Sequence, residues 1–380
     1  MPVRQKKLDV FTPDFFLNSD YEGPIYGVHN EQAGTFNIVM EKEEEINLKR
    51  CQFIGEIFKE GHNYLPETYK YLCGIRTTKG IDFYYSGDKY KTEAYNLVQN
   101  IFSRNTGILE SDIMSSKCAI ILGCGSVGSL VALELARAGV GKFVLVDNDI
   151  VEYHNLCRHQ CGILDVGNYK VIAVAKRIRD INPMAEIEEC ISVVERVEKQ
   201  IFDKYCQTEN TIIVGCADNR EADSYANGLA VLYSIPFVSI GCWERAFAGE
   251  IFYYLPEKDM PCYECALGDG GGVSQRTSTS RRIYTNEQDL SKVNFEPGIS
   301  IDINFVTIIG LKIILDIINR RNDKFTPRLL DYLKQYTLVC NTNKTIIGGD
   351  MAEIFSHPLQ VTTSLAVTYR TGCPPCKYGR

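Results

Sequence analysis

Four cysteines form two Cys-x-x-Cys pairs, a spacing suited to metal or redox chemistry. Cys262 and Cys265 lie in "PCYEC", and Cys373 and Cys376 lie in the terminal stretch "TGCPPCKYGR". One such pair suits a thioredoxin-type disulfide and half of a tetrahedral zinc site equally well, whereas two pairs supply the four thiolates of a closed zinc site. The separation between the pairs is longer than in ordinary zinc ribbons. The spacing alone therefore leaves structural zinc, a redox couple and free thiols open.

A second group of residues is suited to binding a phosphate. Gly123, Gly125 and Gly128 of "GCGSVG" have the G-x-G-x-x-G spacing, directly after an apolar strand and before a helix. These glycines let the backbone turn tightly and approach a phosphate, which then lies at the positive end of the helix. Asp147 ends the next predicted strand, where a carboxylate can accept hydrogen bonds from ribose hydroxyls. The pattern predicts a nucleotide site.

Alternating strands and helices position these glycines and Asp147. From Lys117 onward, "CAIILGCG" and "KFVLVDND" read as apolar strands on either side of the amphipathic helix "SVGSLVALELARAG", and further strands follow at 211–218 and 236–242. This alternation predicts an α/β fold with a Rossmann-like, mostly parallel sheet and helices on both faces. We assign residues 99–380 to this domain.

Residues 1–98 have a different character and predict a small α+β module. Short strand-like runs such as "PIYGVH" and "TFNIVM" precede a charged stretch over 41–61 that we interpret as helical. Within the larger domain, the polar and glycine-rich segment 268–290 predicts a long mobile loop.

Composition and charge restrict the partners. The 380 residues carry a net charge of −7 with scattered basic residues, which argues against a nucleic-acid-binding surface. The most apolar stretch, 305–319, is too short to span a bilayer and contains Lys312 and Asp316, so we expect a buried helix and no membrane partner. The N-terminus lacks the pattern of a signal peptide, and we expect a cytoplasmic protein.

The stretch "VDNDIVEYHNLCRHQCGILDVGNYK" resembles the ThiF/MoeB/HesA-type, ubiquitin-activating-like adenylyltransferase superfamily. Its "DND", "NL-R" and "G-x-x-K" elements have the order and spacing of that superfamily, whose members adenylate a carboxylate with ATP. The layout is most similar to the MccB-type branch, which adenylates the C-terminus of a precursor peptide. The shared features are "ILGCG", the "VDND" strand end, the upstream "SRN" and the Cys-x-x-Cys tail. The resemblance covers about residues 100–380.

The resemblance implies a role for each matching residue. Asp147 would hold the ribose of ATP, and Asn155 and Arg158 would reach the phosphates. Lys170 would stabilise the triphosphate while the substrate carboxylate attacks the α-phosphate, and Asp218 would hold Mg²⁺. The implied catalytic residues are Arg104, Arg158, Lys170 and Asp218, and the implied nucleotide-binding residues are Gly123, Gly125, Gly128, Asp147, Asp149, Asn155 and Asn219. Asp149 could instead cap or orient the loop.

The resemblance also implies a bound metal ion and a second copy of the chain as partner. Many members place one Cys-x-x-Cys pair in a hairpin and the other near the C-terminus, so the four cysteines are interpreted as a structural zinc site. Arg104 of "FSRN" matches an arginine that reaches the nucleotide of the opposing subunit, which implies a homodimer. Where the family often has Gln after the arginine of "NL-R", this chain has His159, which we interpret as a packing residue.

Three functions remain open from the sequence. The first is an adenylyltransferase acting on the C-terminal carboxylate of a peptide, with the N-terminal module as a peptide clamp that adds the leader peptide as a strand to a sheet edge. The second is an activating enzyme for a ubiquitin-like or sulfur-carrier protein. The chain has no cysteine between Cys265 and Cys340, which argues against the usual thioester step. The third is a non-enzymatic dinucleotide-binding or scaffold protein.

Overall fold

The computed structural model describes residues 8–40, 51–61, 67–96, 101–206, 209–217, 219–243, 246–268, 298–342 and 362–376. Within them the chain forms two compact units, which meet in sequence at Arg104 and Asn105. The expected mobile loop at 268–290 lies outside the described residues from position 269 onward, as do Asp218 and the acidic part of the 41–61 stretch.

The first unit contains a closed barrel of seven strands in the order β1-β3-β2-β4-β5-β6-β7. Its core consists of large apolar side chains, among them Phe36, Leu72 and Phe83. A short helix, α1, adds the buried Phe16 to this core. The bounds are β1 Asp9–Pro13, α1 Asp14–Asn18, β2 Gly23–Asn30, β3 Thr35–Met40, β4 Gln52–Phe58, β5 Leu72–Thr77, β6 Gly80–Tyr85 and β7 Asp88–Tyr95.

One expectation for this unit is wrong. The helix expected over 41–61 is a strand, β4, across Gln52–Phe58. Ile54 and Ile57 are both buried and three residues apart, a spacing that also fits a helix. Pairing with β2 and β5, rather than the local hydrophobic pattern, makes this segment a strand. Strand addition needs an unpaired edge, and each of the seven strands already has two neighbours. The role of this unit as a peptide clamp stays a prediction.

The second unit contains an eight-stranded sheet in the order β10-β9-β8-β11-β12-β13-β14-β15. The first five strands of that order run parallel, and the last three pair antiparallel. The bounds are β8 Cys118–Leu122, β9 Lys142–Val146, β10 Glu186–Cys190, β11 Thr211–Gly215, β12 Phe237–Cys242, β13 Ala248–Tyr254, β14 Tyr336–Cys340 and β15 Thr362–Leu365.

Helices cover both faces of this sheet, which confirms the predicted α/β class. The described helices are α2 Ser111–Ser115, α3 Ser126–Arg137, α4 Lys170–Ile181, α5 Lys199–Tyr205, α6 Arg220–Tyr233, α7 Tyr263–Leu267 and α8 Ser300–Ile318, with 3-10 turns at Tyr153–Asn155, Ile163–Asp165 and Val194–Arg196. One apolar core joins the sheet to α3, α4 and α8, and a second joins it to α5, α6 and α7. The apolar stretch 305–319 lies largely within α8 as a buried helix, and no helix in the described ranges is long and apolar enough to cross a membrane.

The strand order places a binding crevice at the centre of the sheet. From β8 the chain moves outward through β9 to β10, whereas from β11 it moves in the opposite direction to β12. The connections after β8 and β11 therefore diverge at their carboxyl ends. Ligands of open α/β sheets bind in the crevice at such a point, and the glycine loop begins there, at Gly123.

Asp316 is a buried carboxylate that fixes the segment after α8. Its Oδ2 accepts hydrogen bonds from the backbone N–H groups of Arg328, Leu329 and Leu330 at 2.9, 2.7 and 3.0 Å. Asp316→Ala would leave three donors without this acceptor, so we expect a loss of about 3 kcal/mol in the free energy of unfolding. Urea denaturation measures it, with the exposed Asp323→Ala as the control. Equal unfolding midpoints for the two variants would contradict this role.

Candidate active site

A cavity of about 490 Å³ lies at the carboxyl ends of the parallel strands. Its walls come from the ends of β8, β9, β11 and β12, the start of α4 and the residues before α8. Eight of the residues predicted from the sequence to bind nucleotide or act in catalysis line it: Gly123, Gly125, Asp147, Asp149, Asn155, Arg158, Lys170 and Asn219. The volume falls in the range of sites that enclose one small-molecule ligand.

The three glycines of the loop have different structural roles. Gly123 has φ +91°, and a Cβ there would lie 2.8 Å from the Cys216 carbonyl oxygen. A Cβ on Gly128 would lie 1.7 Å from the Gly123 carbonyl oxygen, so this glycine lets the first turn of α3 pack on the loop. A Cβ on Gly125 would meet no atom within 4 Å. The protein itself therefore needs no glycine at 125, and the open space there suits the approach of a phosphate to the backbone.

Asp147 is held by two backbone groups at the edge of the cavity. Its Oδ2 accepts a hydrogen bond from the Cys124 N–H at 2.7 Å, and its Oδ1 accepts one from the Asp149 N–H at 2.8 Å. The carboxylate thus connects the end of β9 to the glycine loop. Carboxylate oxygens have further lone pairs, which leaves Asp147 able to accept hydrogen bonds from a ribose.

Lys170 and Asp149 form an ion pair in the cavity wall. Lys170 Nζ lies 2.8 Å from Asp149 Oδ2, and the Lys170 N–H donates to the Asp149 carbonyl oxygen at 2.9 Å. The Lys170 side chain is only 12% exposed, whereas the Asp149 side chain is 64% exposed. The lysine is therefore held in place, and in this structure Asp149 orients it. An incoming phosphate could take over the role of the aspartate as its partner.

Arg158 and Asn155 lie on the segment between β9 and α4. Asn155 Oδ1 accepts from the Glu152 N–H at 2.9 Å and so caps a 3-10 turn. The Arg158 guanidinium extends to Gly298, where its Nη1 lies 3.5 Å from the position that a Cβ would take. The segment therefore brings a cation and an amide to one wall of the cavity.

His159 links that segment to the glycine loop. Its Nδ1 accepts from the Cys161 N–H at 3.1 Å, so its Nε2–H donates to the Cys124 carbonyl oxygen at 2.7 Å. Burial lowers the pKa of His159, which favours the neutral ring. Both ring nitrogens are used by backbone groups, which supports the interpretation of His159 as a packing residue.

Two further predicted residues are Asn219 and Arg104. Asn219 lines the cavity but also caps α6, since its Oδ1 accepts from the Glu221 N–H at 2.8 Å. Arg104 is exposed and belongs to the first unit. The cysteines around the loop are thiols in the core: burial raises the pKa of Cys161 to about 12 and that of Cys124 and Cys216 well above its usual range. Such thiols are poor nucleophiles.

The four cysteines of the two Cys-x-x-Cys pairs come together away from the cavity. Their sulfur atoms all lie within 4.8 Å of one another, with Cys262–Cys373 at 3.3 Å, Cys265–Cys376 at 3.5 Å and Cys262–Cys265 at 3.8 Å. The first three are buried and Cys376 is half-buried. Four sulfurs bound tetrahedrally to zinc at about 2.3 Å would be about 3.8 Å apart. The donor set and its spacing fit a zinc ion.

The environment of the cluster also suits thiolates bound to a cation. Burial raises the pKa of Cys265 to about 11 and raises that of Cys262 further, so without a cation these groups would remain protonated. The Arg370 N–H donates to Cys265 Sγ at 3.4 Å, which is a contact that stabilises a sulfur carrying negative charge. Zinc would supply the compensating charge.

Sequence reasoning missed a second wall of the cavity, formed by Trp243 and Ala246 and supported by Glu250. Trp243 and Ala246 line the cavity beside Cys242, and Glu250 is buried behind them on β13. A signal was present in the sequence: Glu250 interrupts the apolar strand "AGEIFYY", and Trp243 is the only tryptophan of the chain. A charged residue in a buried strand requires partners, and such partners mark structural or functional networks.

Comparison with known proteins identifies the family. The ThiF family matches residues 99–347. The ubiquitin-like modifier-activating enzyme 5 of Aedes aegypti is 29% identical over 211 residues, which covers 51% of this chain and 52% of that protein. The same enzyme of Drosophila simulans is 32% identical over 160 residues, covering 40% and 39%, and that of Dictyostelium discoideum is 30% identical over 168 residues, covering 42% and 44%. The chain thus matches about half, or less, of the length of these relatives.

The fold is similar to that of solved MccB structures. The crystal structure of E. coli MccB with ATP has a TM-score of 0.51 and 19% sequence identity, with 73% of this chain and 74% of that chain covered. The structure of E. coli MccB with succinimide has a TM-score of 0.51 and 20% identity, with 73% of each chain covered. At this level of identity the likeness concerns the fold.

Proposed function

The chain belongs to the ThiF family, and from that premise we propose that it is an ATP-dependent adenylyltransferase. It would transfer AMP to the C-terminal carboxylate of a peptide or small protein and release pyrophosphate. The observation that carries this proposal is the convergence of Lys170, Arg158 and Asp147 on the glycine loop within one cavity. Two cations and a ribose-binding carboxylate around a phosphate loop match the charge and shape of ATP.

The proposed reaction needs charge neutralisation and positioning. A carboxylate is already a nucleophile at neutral pH, so no general base is required when it attacks the α-phosphate. The pyrophosphate that leaves concentrates negative charge, which Lys170 and Arg158 would stabilise. The Asp147 carboxylate would fix the ribose, and Asn155 and Asn219 would donate to phosphate oxygens. Mg²⁺, held by Asp218, would neutralise the phosphates further.

The four-cysteine cluster has a separate, structural role in this proposal. Zinc bound by Cys262, Cys265, Cys373 and Cys376 would have four protein ligands and no open position, which is typical of structural sites. Arg104 would act from a second copy of the chain. Its exposure in one chain is compatible with contributing to a partner's site in a homodimer.

A second candidate function is the activation of a ubiquitin-like modifier. It is supported by the sequence similarity to ubiquitin-like modifier-activating enzyme 5 of Aedes, Drosophila and Dictyostelium. The two candidates share the adenylation step and differ in the substrate. ATP–pyrophosphate exchange driven by short peptides supports the first, and exchange that requires a folded carrier protein ending in Gly-Gly supports the second. Exchange with no carboxylate, together with NAD binding, would favour a dinucleotide-binding protein instead.

Gly125→Ala tests the phosphate loop directly. A methyl group at 125 would meet no protein atom, so we expect the free energy of unfolding to change by no more than about 1 kcal/mol. The same methyl group would occupy the place where a phosphate approaches the backbone, so ATP affinity should fall at least about tenfold. Calorimetric titration with ATP measures this.

Gly228→Ala provides the matched control. Gly228 lies within α6, and a Cβ there also meets no atom within 4 Å. The alanine should stabilise the helix by about 0.5–1 kcal/mol and leave ATP affinity unchanged. If Gly125→Ala also bound ATP normally, the nucleotide would not lie on this loop.

A further inference from the structure

One part of the cavity lining is apolar, in contrast to the part that carries Asp147, Asp149, Arg158 and Lys170. The apolar part consists of Ile240, Gly241, Cys242, Trp243, Ala246 and Ile303. The charged and apolar parts meet beside Gly298. The position of a Cβ on this glycine lies 3.5 Å from Arg158 Nη1, 3.9 Å from Ala246 Cβ and 3.4 Å from Ile303 Cδ1. A group held between these residues would therefore touch a phosphate-binding cation and the apolar wall at once.

Glu250 fixes the aromatic part of this wall. It is 7% exposed, and its carboxylate accepts hydrogen bonds from three side chains. Trp243 Nε1–H donates at 3.0 Å, the Tyr336 hydroxyl at 2.5 Å, and Arg220 Nη2 approaches both oxygens at 3.3 and 3.4 Å. A tryptophan N–H bonded to a buried charge has a defined ring orientation. Glu250 therefore determines where the indole ring faces the cavity.

The sheet is built to allow this arrangement. Glu250 lies on β13 directly across from Gly241 of β12. A Cβ on Gly241 would lie 3.2 Å from Glu250 Cγ, so the glycine leaves room for the glutamate to reach Trp243.

The other part of the wall, Ala246, has a strained backbone. Its φ is +50°, a conformation that alanine rarely adopts. Three hydrogen bonds hold it: the Ala246 N–H donates to the Trp243 carbonyl at 2.8 Å, the Trp243 N–H to the Ala248 carbonyl at 3.0 Å, and Asn341 Nδ2 to the Ala246 carbonyl at 2.8 Å. Such strain is unfavourable and occurs preferentially at ligand-binding sites. The strained residue faces the cavity.

We infer that Trp243 and Ala246 form the wall that receives the last side chain of the substrate, that this wall selects an uncharged terminal residue, and that Glu250 is its positioning residue. The inference rests on the proposed adenylation, because the acyl group of the adenylate must then lie beside the α-phosphate. A cationic side chain placed against Trp243, Ala246 and Ile303 would lose water and lie near the like charge of Arg158. An anionic side chain would compete with the phosphates for Arg158, which the proposed reaction assigns to them. Glu250 already forms an ion pair with Arg220, so its charge is compensated and it would not bind a further cation.

Acyl-sulfamoyl adenosines are suitable probes because they mimic an acyl adenylate without reacting. We consider four, carrying N-acetylglycyl, N-acetylalanyl, N-acetylaspartyl and N-acetyllysyl groups, with AMP as the reference. Trp243 is the only tryptophan, so its fluorescence reports on this wall alone. The two uncharged probes should change the Trp243 emission. Their affinities, each divided by the affinity for AMP, should exceed those of the two charged probes by at least about tenfold. Equal affinities for all four would overturn the inference.

Glu250→Gln tests the positioning role. The amide keeps an acceptor but loses the charge that orders Trp243, so we expect shifted tryptophan emission in the free protein and a loss of at least about threefold in the preference for uncharged probes. AMP affinity should be unchanged. The control is Glu257→Gln, which removes an ion pair with Arg320 and should alter neither readout.

Trp243→Phe gives an independent test, read by calorimetry. The preference for uncharged probes should fall while AMP still binds. If Glu250→Gln and Trp243→Phe both keep the wild-type preference, the wall does not select the terminal residue. If neither AMP nor ATP nor any of the probes binds to wild type, the adenylation proposal itself fails and the inference fails with it. If AMP binds but the four probes bind equally well, the selection of the terminal residue is contradicted and the adenylation proposal is not.

Discussion

Lys170→Ala is expected to reduce ATP–pyrophosphate exchange by about a thousandfold or more while the protein stays folded. The ammonium group is nearly enclosed in the cavity wall, where a charge interacts more strongly than in water. Its proposed target is the pyrophosphate that leaves, so the loss falls on the step in which that charge develops. Exchange is to be measured with whichever peptide or carrier protein drives it in the wild type.

Nucleotide binding gives a second measurement for Lys170→Ala that needs no substrate. Because the lysine would contact the triphosphate beyond the α-phosphate, the variant should lose affinity for ATP and keep its affinity for AMP. Lys170→Arg should retain part of the ATP affinity, since it keeps the charge but not the geometry. Lys199→Ala, which removes an exposed ion pair with Asp203, is the matched control and should behave as wild type. Normal exchange by Lys170→Ala would show that Lys170 does not face the triphosphate.

Stability separates this effect from misfolding. Lys170 pairs with an exposed aspartate, and ion pairs with an exposed partner contribute little to stability. We therefore expect a similar urea midpoint for wild type and Lys170→Ala. A large shift in that midpoint would mean that the lysine serves the fold rather than the reaction.

Patterns that are local in sequence predicted the larger domain well. Strand, glycine loop, helix and acidic strand end follow one another within 118–149, and each has its own physical signature. The family resemblance read from "DND", "NL-R" and "G-x-x-K" is confirmed by the ThiF match over 99–347. The parallel sheet and the buried helix α8 were both predicted from long apolar runs, which a globular chain buries in its core. The roles of the individual site residues stay predictions.

Features that depend on contacts between distant segments were not predictable. The barrel is one case. The Ile54 and Ile57 pattern fits a helix as well as a strand, and only pairing with β2 and β5 determines that the segment is a strand. The wall at Trp243 is another. Its support comes from Glu250 and from Tyr336, which is 93 residues from Trp243 in sequence, and no local spacing relates them.

The cysteines show how the two kinds of information combine. The spacing within each pair indicated metal or redox chemistry, but the separation between pairs left the choice open. The structure brings all four sulfurs within 4.8 Å, a spacing that accommodates one ion. The proposal of zinc therefore rests on geometry as well as on resemblance.

Cys373→Ala is expected to abolish zinc binding and to lower the free energy of unfolding by at least about 5 kcal/mol. Structural zinc sites contribute on the order of 10 kcal/mol, and three remaining sulfurs would hold the ion far less tightly. The measurements are zinc per chain by elemental mass spectrometry and urea denaturation. Cys118→Ala, which truncates a buried thiol outside the cluster, is the control; it should keep one zinc per chain and lose only about 1–2 kcal/mol. Native wild-type protein without zinc would refute the assignment.

The position of the cluster determines what its loss does to the nucleotide site. Cys262 and Cys265 belong to the start of α7, which is tied to α6 by the Tyr263 N–H to Asn227 Oδ1 at 2.8 Å and by Ser224 Oγ–H to Glu264 Oε2 at 2.8 Å. α6 begins beside the cavity, at Asn219. Deleting residues 373–380 should therefore unfold the domain at lower urea concentration, while ATP affinity measured at low temperature in the folded fraction changes little. A deletion that abolished ATP binding without lowering stability would place a ligand of the nucleotide in the tail and would contradict a purely architectural role for zinc.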